Sequence, residues 1–102
     1  SMDLLLSFND ALSHQLTKSR DAKTYASQLG VSYKTLNKVC KETLNLTAKQ
    51  VIDNAVIIEA KRMLLTEKQA TQTVAYALGF DESTNFVKFF KRHTGKTPQA
   101  YR

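Results

Sequence analysis

The segment Ala26-Ser27-Gln28-Leu29-Gly30-Val31 is the main clue to the architecture of this chain, because its pattern returns 49 residues later as Ala75-Tyr76-Ala77-Leu78-Gly79-Phe80. Glycine directly after a short apolar segment is a common helix end, since a residue without Cβ adopts positive φ without steric cost. After each glycine comes a segment with apolar residues on one side and lysines on the other. The sequence therefore predicts two copies of a helix, a glycine turn and a basic amphipathic helix.

The composition favours an all-α fold. The 102 residues include three glycines and one proline, too few for the many turns of a sandwich or barrel. Hydrophobic residues make up 42% of the chain and charged residues 24%, as in ordinary globular domains. A chain of this length has room for one domain, or for two small subdomains that share a helix.

Apolar spacing and capping residues predict six helices and a closing helical turn. We expect helices over about residues 3–17, 22–29, 33–43, 48–65, 72–78 and 83–93, and a turn through Tyr101. The expected N-terminal caps are Asp21, Ser32, Thr47 with Gln50, Thr71, and Thr97 before Pro98, and the sixth helix starts at Asp81 or Ser83. Left-handed ends are expected at Gly30, Asn45, Gly79 and Gly95. The long fourth helix, including Ile58, is apolar on several sides, which predicts a buried central position.

The two basic helices carry polar residues opposite an apolar face. On the third helix, positions 34, 37, 38 and 41 share one side, and Leu36, Val39 and Cys40 lie opposite. On the sixth helix, positions 84, 88 and 91 lie opposite Phe86, Phe89, Phe90 and His93. Such a helix is either a recognition helix for the major groove of DNA or an ordinary solvated surface. The duplication, together with a net charge of +6, favours the first interpretation.

The second half of the chain resembles the C-terminal signature of AraC/XylS-type transcription regulators. The matching residues are Ala75-Tyr76-Ala77-Leu78-Gly79-Phe80, Phe86, Phe90-Lys91-Arg92, Gly95, Thr97-Pro98 and Tyr101-Arg102. The first half is similar more loosely, through Ala26, Leu29-Gly30-Val31-Ser32, Leu36 and Lys41. The resemblance implies seven helices in two helix-turn-helix subdomains, residues 1–46 and 67–102, joined by a linker helix over 47–66. It also implies sequence-specific binding of double-stranded DNA by a bacterial regulator, with two recognition helices in successive major grooves.

The same resemblance implies which side chains contact DNA. Its base-contacting positions fall on Lys34, Asn37 and Lys38 in the first unit and on Ser83, Thr84 and Lys88 in the second. Phosphate contacts are expected from Ser32, Thr35, Lys41, Lys91 and Arg92. Lysine donates hydrogen bonds to guanine or to phosphate, and asparagine forms a pair of hydrogen bonds with adenine.

Three positions depart from the family pattern. Asn45 stands where glycine is usual, Cys40 where phenylalanine is usual, and Lys88 where arginine is common. Lysine lacks the forked guanidinium that suits guanine, and Asp81-Glu82 adds negative charge at the start of the second basic helix. We therefore expect the second unit to position the domain on phosphate more than it distinguishes bases.

The sequence offers no motif for catalysis, metal binding or cofactor binding. It contains no Ser/His/Asp set, phosphate-binding glycine loop or metal-ligand spacing, so we expect no enzyme, no cofactor and no metal. An apolar run of about 18 residues is also lacking, so we expect a cytoplasmic protein without a membrane partner. The alternative function is a helical protein-interaction module with a basic surface.

Two further partners are expected beside double-stranded DNA. Ser1 before Met2 is typical of a cleaved expression tag. An N-terminal effector or dimerisation domain is therefore expected to be missing from the chain, and RNA polymerase is a second candidate partner.

Overall fold

A computed structural model describes residues 2–102, and over this range the backbone forms seven α-helices and no strand. The helices are α1 (Met2–Gln15), α2 (Ala22–Gln28), α3 (Tyr33–Leu44), α4 (Ala48–Leu65), α5 (Thr71–Ala77), α6 (Ser83–Thr94) and α7 (Pro98–Tyr101). The all-α prediction is confirmed, and the closing turn is a short helix. Within the same residues, none of the helices combines the length and the apolar content that a bilayer crossing requires.

The chain divides into two compact units, and the division falls inside α4. The first unit ends at Ala55 and contains α1, α2, α3 and the start of α4. The second unit, Val56–Arg102, contains the rest of α4 with α5, α6 and α7. Each unit includes a short helix, a glycine turn and a basic helix, and the 18-residue α4 connects them along the chain. The fold is therefore two helix-turn-helix subdomains joined by a long helix.

Side-chain caps fix the starts of four helices where the sequence predicts them. Asp21, Ser32 and Thr97 each accept a hydrogen bond from a backbone N–H in the first turn of α2, α3 and α7. At the start of α4, Gln50 N–H donates to Thr47 Oγ1 at 3.1 Å, and Thr47 N–H donates to Gln50 Oε1 at 2.9 Å. This reciprocal pair is the predicted capping box.

The two glycine turns share one backbone geometry. Gly30 has a φ of 74° and Gly79 a φ of 86°, values that strain any residue with a Cβ. In each turn the residue after the glycine donates its N–H to the carbonyl of the alanine five positions earlier, at 3.0 Å. Asn45 and Gly95 end α3 and α6 in the left-handed region, with φ values of 58° and 84°. All four left-handed ends are therefore confirmed.

The start of α5 differs from the prediction. Thr71 is the first helical residue and not the cap, because the extended backbone lies one residue earlier, at Ala70, with φ −64° and ψ 148°. Ala70 has no side chain that could cap the helix. Of the two predicted starts of α6, Asp81 and Ser83, the structure has Ser83, with Glu82 in the cap position and no side-chain cap hydrogen bond.

The core of the first unit surrounds Phe8, Tyr25 and Leu36, whose side chains are fully or almost fully buried. The rings of Phe8 and Tyr25 meet edge to face with centroids 5.7 Å apart. The Tyr25 hydroxyl donates to the carbonyl of Ser19 at 2.8 Å, which satisfies its one buried polar group. Burial of Leu36 and Cys40 fixes the apolar side of α3.

The core of the second unit is a chain of aromatic rings. Phe80 lies 5.3 Å from Phe86, Phe86 lies 5.8 Å from Phe90, and Phe90 lies 5.4 Å from Tyr101, measured between ring centroids. These distances are those of packed aromatic pairs. The aromatic residues of α6 therefore form a core and leave the opposite side of the helix for other contacts.

Two residues predicted to lie inward are exposed. His93 is in the last turn of α6, where its ring lies 4.5 Å from that of Phe89 at the edge of the core. Ile58 of α4 is 69% exposed. Both positions satisfy helical spacing, but the core does not extend far enough around either helix to cover them.

Candidate nucleic-acid interface

The first basic helix offers three lysines at one side, and we call this the α3 surface. Lys34, Lys38 and Lys41 are exposed and follow one another at helical spacing. Their side is opposite Leu36 and Cys40, both of which have no solvent exposure. Because the opposite side of α3 is buried in the core, the three lysine side chains are left on the solvent side of the helix.

Two hydroxyls at the start of α3 border this surface. Ser32 Oγ accepts from the backbone N–H of Thr35 at 3.0 Å and donates to Thr35 Oγ1 at 3.0 Å. The Thr35 hydroxyl thus accepts one hydrogen bond and keeps its own proton for an external acceptor such as a phosphate oxygen. Ser32 has a structural role as the N-cap and remains exposed.

Asn37 differs from the other predicted contacts of the first unit. It is half-buried, and its side-chain Oδ1 accepts a hydrogen bond from the backbone N–H of Ala48 at 2.9 Å. Ala48 is the first residue of α4, where backbone N–H groups have no intrahelical partner. The carboxamide is therefore turned toward the start of α4 within its own unit.

The second basic helix offers a similar side, which we call the α6 surface. Thr84, Lys88, Lys91 and Arg92 are exposed, and Ser83 is half-buried. The Arg92 guanidinium lies 5.8 Å from the centroid of the Phe89 ring, a distance at which cation and ring attract each other. The contact is made by the charged end of the side chain itself, and Arg92 nevertheless remains exposed to solvent.

The two surfaces correspond residue for residue. Each helix has 12 residues, and each ends in a left-handed residue, at Asn45 and at Gly95. With the helices aligned, the lysine positions 34, 38 and 41 match positions 84, 88 and 91. Lys38 and Lys88 are therefore equivalent, as are Lys41 and Lys91, whereas Lys34 has a threonine as its counterpart.

The turn before α6 is one residue longer than the turn before α3. Two residues separate Gly30 from α3, and three separate Gly79 from α6. The extra length holds the exposed carboxylates of Asp81 and Glu82. Negative charge at the start of a helix is favourable for the helix, but it opposes a phosphate at the same place.

Asn85 is a polar residue of the α6 surface that the sequence prediction did not include. It is exposed and lies one helical turn before Lys88. Its i, i+3 relation to Lys88 was visible in the sequence, and it offers a carboxamide for base or phosphate contact.

The groups that suggest other chemistry have structural roles. Cys40 is buried on the inner side of α3, and burial raises the pKa of its thiol, which keeps it protonated and unreactive. Over residues 2–102, no group of three or more His, Cys, Asp or Glu side chains is placed to hold a metal ion.

Within each unit, the basic helix packs against the short helix that precedes the glycine turn. A basic helix held in this way, with its cations outward, defines a helix-turn-helix unit, and the chain contains two. The family model described as helix-turn-helix domain matches residues 25–102. The chain therefore belongs to this family of helix-turn-helix domains, and it is of the AraC type.

Relatives and solved structures agree with this membership. The uncharacterized HTH-type transcriptional regulator in the cgkA 5′ region of Pseudoalteromonas carrageenovora is 38% identical over 79 residues, which are 78% of this chain and 46% of that protein. A transcriptional regulator of Chromobacterium violaceum, described as AraC-type, has a TM-score of 0.88 at 18% identity, covering 99% of this chain and 90% of that one. The DNA-binding domain of AdpA, solved with a target DNA, has a TM-score of 0.83 at 26% identity, covering 96% and 87%.

The chain spans less than half the length of the first curated relatives that it matches. The family and the fold are those of DNA-binding transcription regulators.

Proposed function

We propose that the chain is the DNA-binding domain of a bacterial transcription regulator and binds double-stranded DNA through the α3 and α6 surfaces. The observation that carries the proposal is the correspondence of these surfaces: helices of equal length present exposed lysines at two matching positions, Lys38 with Lys88 and Lys41 with Lys91. The AdpA domain, whose fold matches over nearly the whole chain, was solved in complex with its target DNA. We infer that the two recognition helices enter successive major grooves.

Phosphate neutralisation supplies most of the affinity in this proposal. Lys41, Lys91 and Arg92 contact phosphates as cations, while the hydroxyls of Ser32 and Thr35 border the first helix. Binding then releases counterions from the DNA, so affinity falls steeply with salt.

Base contacts supply the sequence preference. Lys34 and Lys38 donate to guanine O6 or N7 from the first unit. Ser83 and Thr84 begin α6, and Asn85 adds a carboxamide beside them, whereas Lys88, one turn further along, serves mainly as a cation for phosphate. Because serine and threonine are short and two carboxylates adjoin them, the second unit distinguishes bases less than the first.

The remaining assignments follow from this role. We assign the chain no catalytic activity, and DNA binding places it in the cytoplasm with the chromosome. The curated relatives are longer than this chain, which supports an additional N-terminal effector or dimerisation domain. RNA polymerase is a proposed partner of the whole regulator.

The decisive experiment is selection of bound duplexes from a random pool, followed by affinity measurements on the selected sequence. We expect one preferred sequence with two elements and a footprint of about 16–22 base pairs. If roughly 6 to 8 phosphates are neutralised, log K falls against log salt with a slope of about −5 to −7.

A protein-interaction module with a basic surface gives a different result. It binds DNA only through its charge, so the pool yields no preferred sequence and mutated sites bind as well as selected ones. That outcome contradicts the proposal, whatever the salt slope.

A further inference from the structure

We propose that Asn37 is a positioning residue that fixes α3 to the start of α4, and that it makes no base contact. The inference rests on the proposed function, because it assigns base recognition in the first unit to Lys34 and Lys38. Its basis is the 2.9 Å hydrogen bond from the Ala48 N–H to Asn37 Oδ1, which links residues 11 positions apart in sequence.

The N–H of Ala48 needs this partner. The first four N–H groups of a helix have no intrahelical acceptor. At the start of α4, Thr47 Oγ1 accepts from Gln50 N–H, and Gln50 Oε1 accepts from Thr47 N–H. Ala48 lies between them and has no solvent exposure, so water does not replace the carboxamide. Asn37 therefore completes the capping of α4 from another helix.

The second unit provides an internal comparison. With α3 and α6 aligned, Val87 takes the place of Asn37 and Pro98 takes the place of Ala48. Proline has no N–H, and valine has no acceptor. The threonine cap is nevertheless retained, since Thr97 Oγ1 accepts from Ala100 N–H at 3.1 Å. Donor and acceptor are thus both present in the first unit and both absent in the second, as expected if the acceptor serves the donor.

The hydrogen bond also restricts what Asn37 offers to DNA. Paired recognition of adenine requires the oxygen and the nitrogen of one carboxamide to face the base edge together. In this unit the oxygen faces the N–H of Ala48. The same bond ties the middle of α3 to the beginning of α4, so that it holds Lys34 and Lys38 in a fixed direction within the unit.

The test introduces the valine and proline of the second unit, Val87 and Pro98, at the equivalent positions 37 and 48 of the first unit. The variants are N37V, A48P and N37V/A48P, and each is compared with the wild type by thermal melting. N37V leaves a buried N–H without acceptor, and we expect its Tm to fall by roughly 5 to 15 °C. Adding A48P to N37V removes that donor, so we expect the double variant to regain a large part of the loss. Proline is compatible with the first position of a helix, as Pro98 shows in α7.

The DNA arm of the test uses the duplex selected by the wild-type chain and its single-base variants. We expect N37V/A48P to prefer the same base as the wild type at every position, with a Kd within about threefold of the wild-type value, because no base contact has been removed. The inference is wrong if the Tm changes of N37V and A48P simply add up in the double variant, because positions 37 and 48 are then not coupled. It is also wrong if the double variant melts like the wild type but loses about tenfold or more of its discrimination at one base pair.

The two failures are distinguishable. If the wild-type chain selects no sequence, the proposed function fails, and with it the claim that Asn37 positions Lys34 and Lys38 for base recognition. If the wild type selects a sequence and only the double variant loses discrimination at one position, the proposed function stands and Asn37 is a base contact.

Discussion

Lys38 and Lys88 occupy equivalent positions on α3 and α6, yet we expect their neighbours to give them different roles on DNA. Lys38 follows the exposed Lys34 by one helical turn, so two ammonium groups adjoin on the α3 surface. Lys88 follows Thr84, and two exposed carboxylates precede its helix. We expect Lys38, with the ammonium group of Lys34 beside it, to reach the edges of bases. We expect Lys88, whose helix is preceded by two carboxylates, to act mainly as a point charge that binds phosphate.

This contrast predicts different results from matched lysine substitutions. We expect Lys34→Ala to lower discrimination between the selected base and its alternatives by about 1–3 kcal/mol at one position, since a donor to guanine is removed. We expect Lys88→Ala to weaken all sequences alike and to reduce the salt slope by about 1, since a phosphate contact is removed. Affinity measured on a panel of single-base variants at several salt concentrations separates the two effects.

Lys68→Asn is the control for the lost charge. Lys68 lies outside both surfaces and has a φ of 54°, a conformation that asparagine tolerates. The Lys68→Asn substitution should change base discrimination less than Lys34→Ala does, and the salt slope less than Lys88→Ala does. Equal loss of discrimination from Lys34→Ala and Lys88→Ala contradicts the division of tasks between the units.

At this scale the sequence predicted exposure well but not every partner. Helical spacing placed the lysines of both surfaces outward and Cys40 inward, and the structure agrees. Spacing also grouped Asn37 with Lys34 and Lys38, yet its carboxamide meets the start of α4. A face defined by periodicity cannot reveal this, because the partner comes from a different helix after a turn.

The sequence predicted most helix starts correctly, but it misplaced the start of α5. Asp21, Ser32, Thr47 and Thr97 all cap where predicted, because each side chain is one residue before its helix. Thr71 has the same chemistry but is already helical. The difference depends on where the preceding loop leaves its extended conformation, which the residue type alone does not determine.

These ends predict unequal effects of the same substitution. Thr47→Ala removes the hydroxyl that accepts from Gln50 N–H, and we expect it to lower the free energy of unfolding by about 1 kcal/mol. Thr71→Ala removes no cap hydrogen bond, and we expect a change within about 0.5 kcal/mol. Urea titrations followed by circular dichroism measure both. A Thr71 variant that is as destabilised as the Thr47 variant would show that Thr71 stabilises α5 after all.

For the whole molecule, the two units are variations of one plan that share a helix. Both have a glycine turn, a 12-residue basic helix and a left-handed helix end, and α4 contributes residues to each. They differ by one residue in the length of the turn and in the chemistry of the core, since Leu36 and Cys40 are the buried residues of α3 while phenylalanines are those of α6. Because the recognition surfaces also differ, the two DNA elements need not be palindromic.

The continuity of α4 leads to a prediction about the spacing of those elements. α4 is one continuous helix of 18 residues, and we expect the two DNA elements that the units bind to lie about one helical turn of the duplex apart. Insertion of 5 base pairs between the elements moves one of them to the opposite side of the duplex. We expect affinity to fall to that of a single element, a loss of about 100-fold or more.

Insertion of 10 base pairs distinguishes a rigid connection from a flexible one. It returns both elements to the same side but adds about 34 Å between them. A continuous helix cannot extend by that distance, so we expect no recovery of affinity. If the 10-base-pair insertion restores binding while the 5-base-pair insertion does not, α4 must unwind or bend between the units on DNA. If neither insertion lowers affinity, only one of the two surfaces recognises DNA, and the bipartite site is wrong.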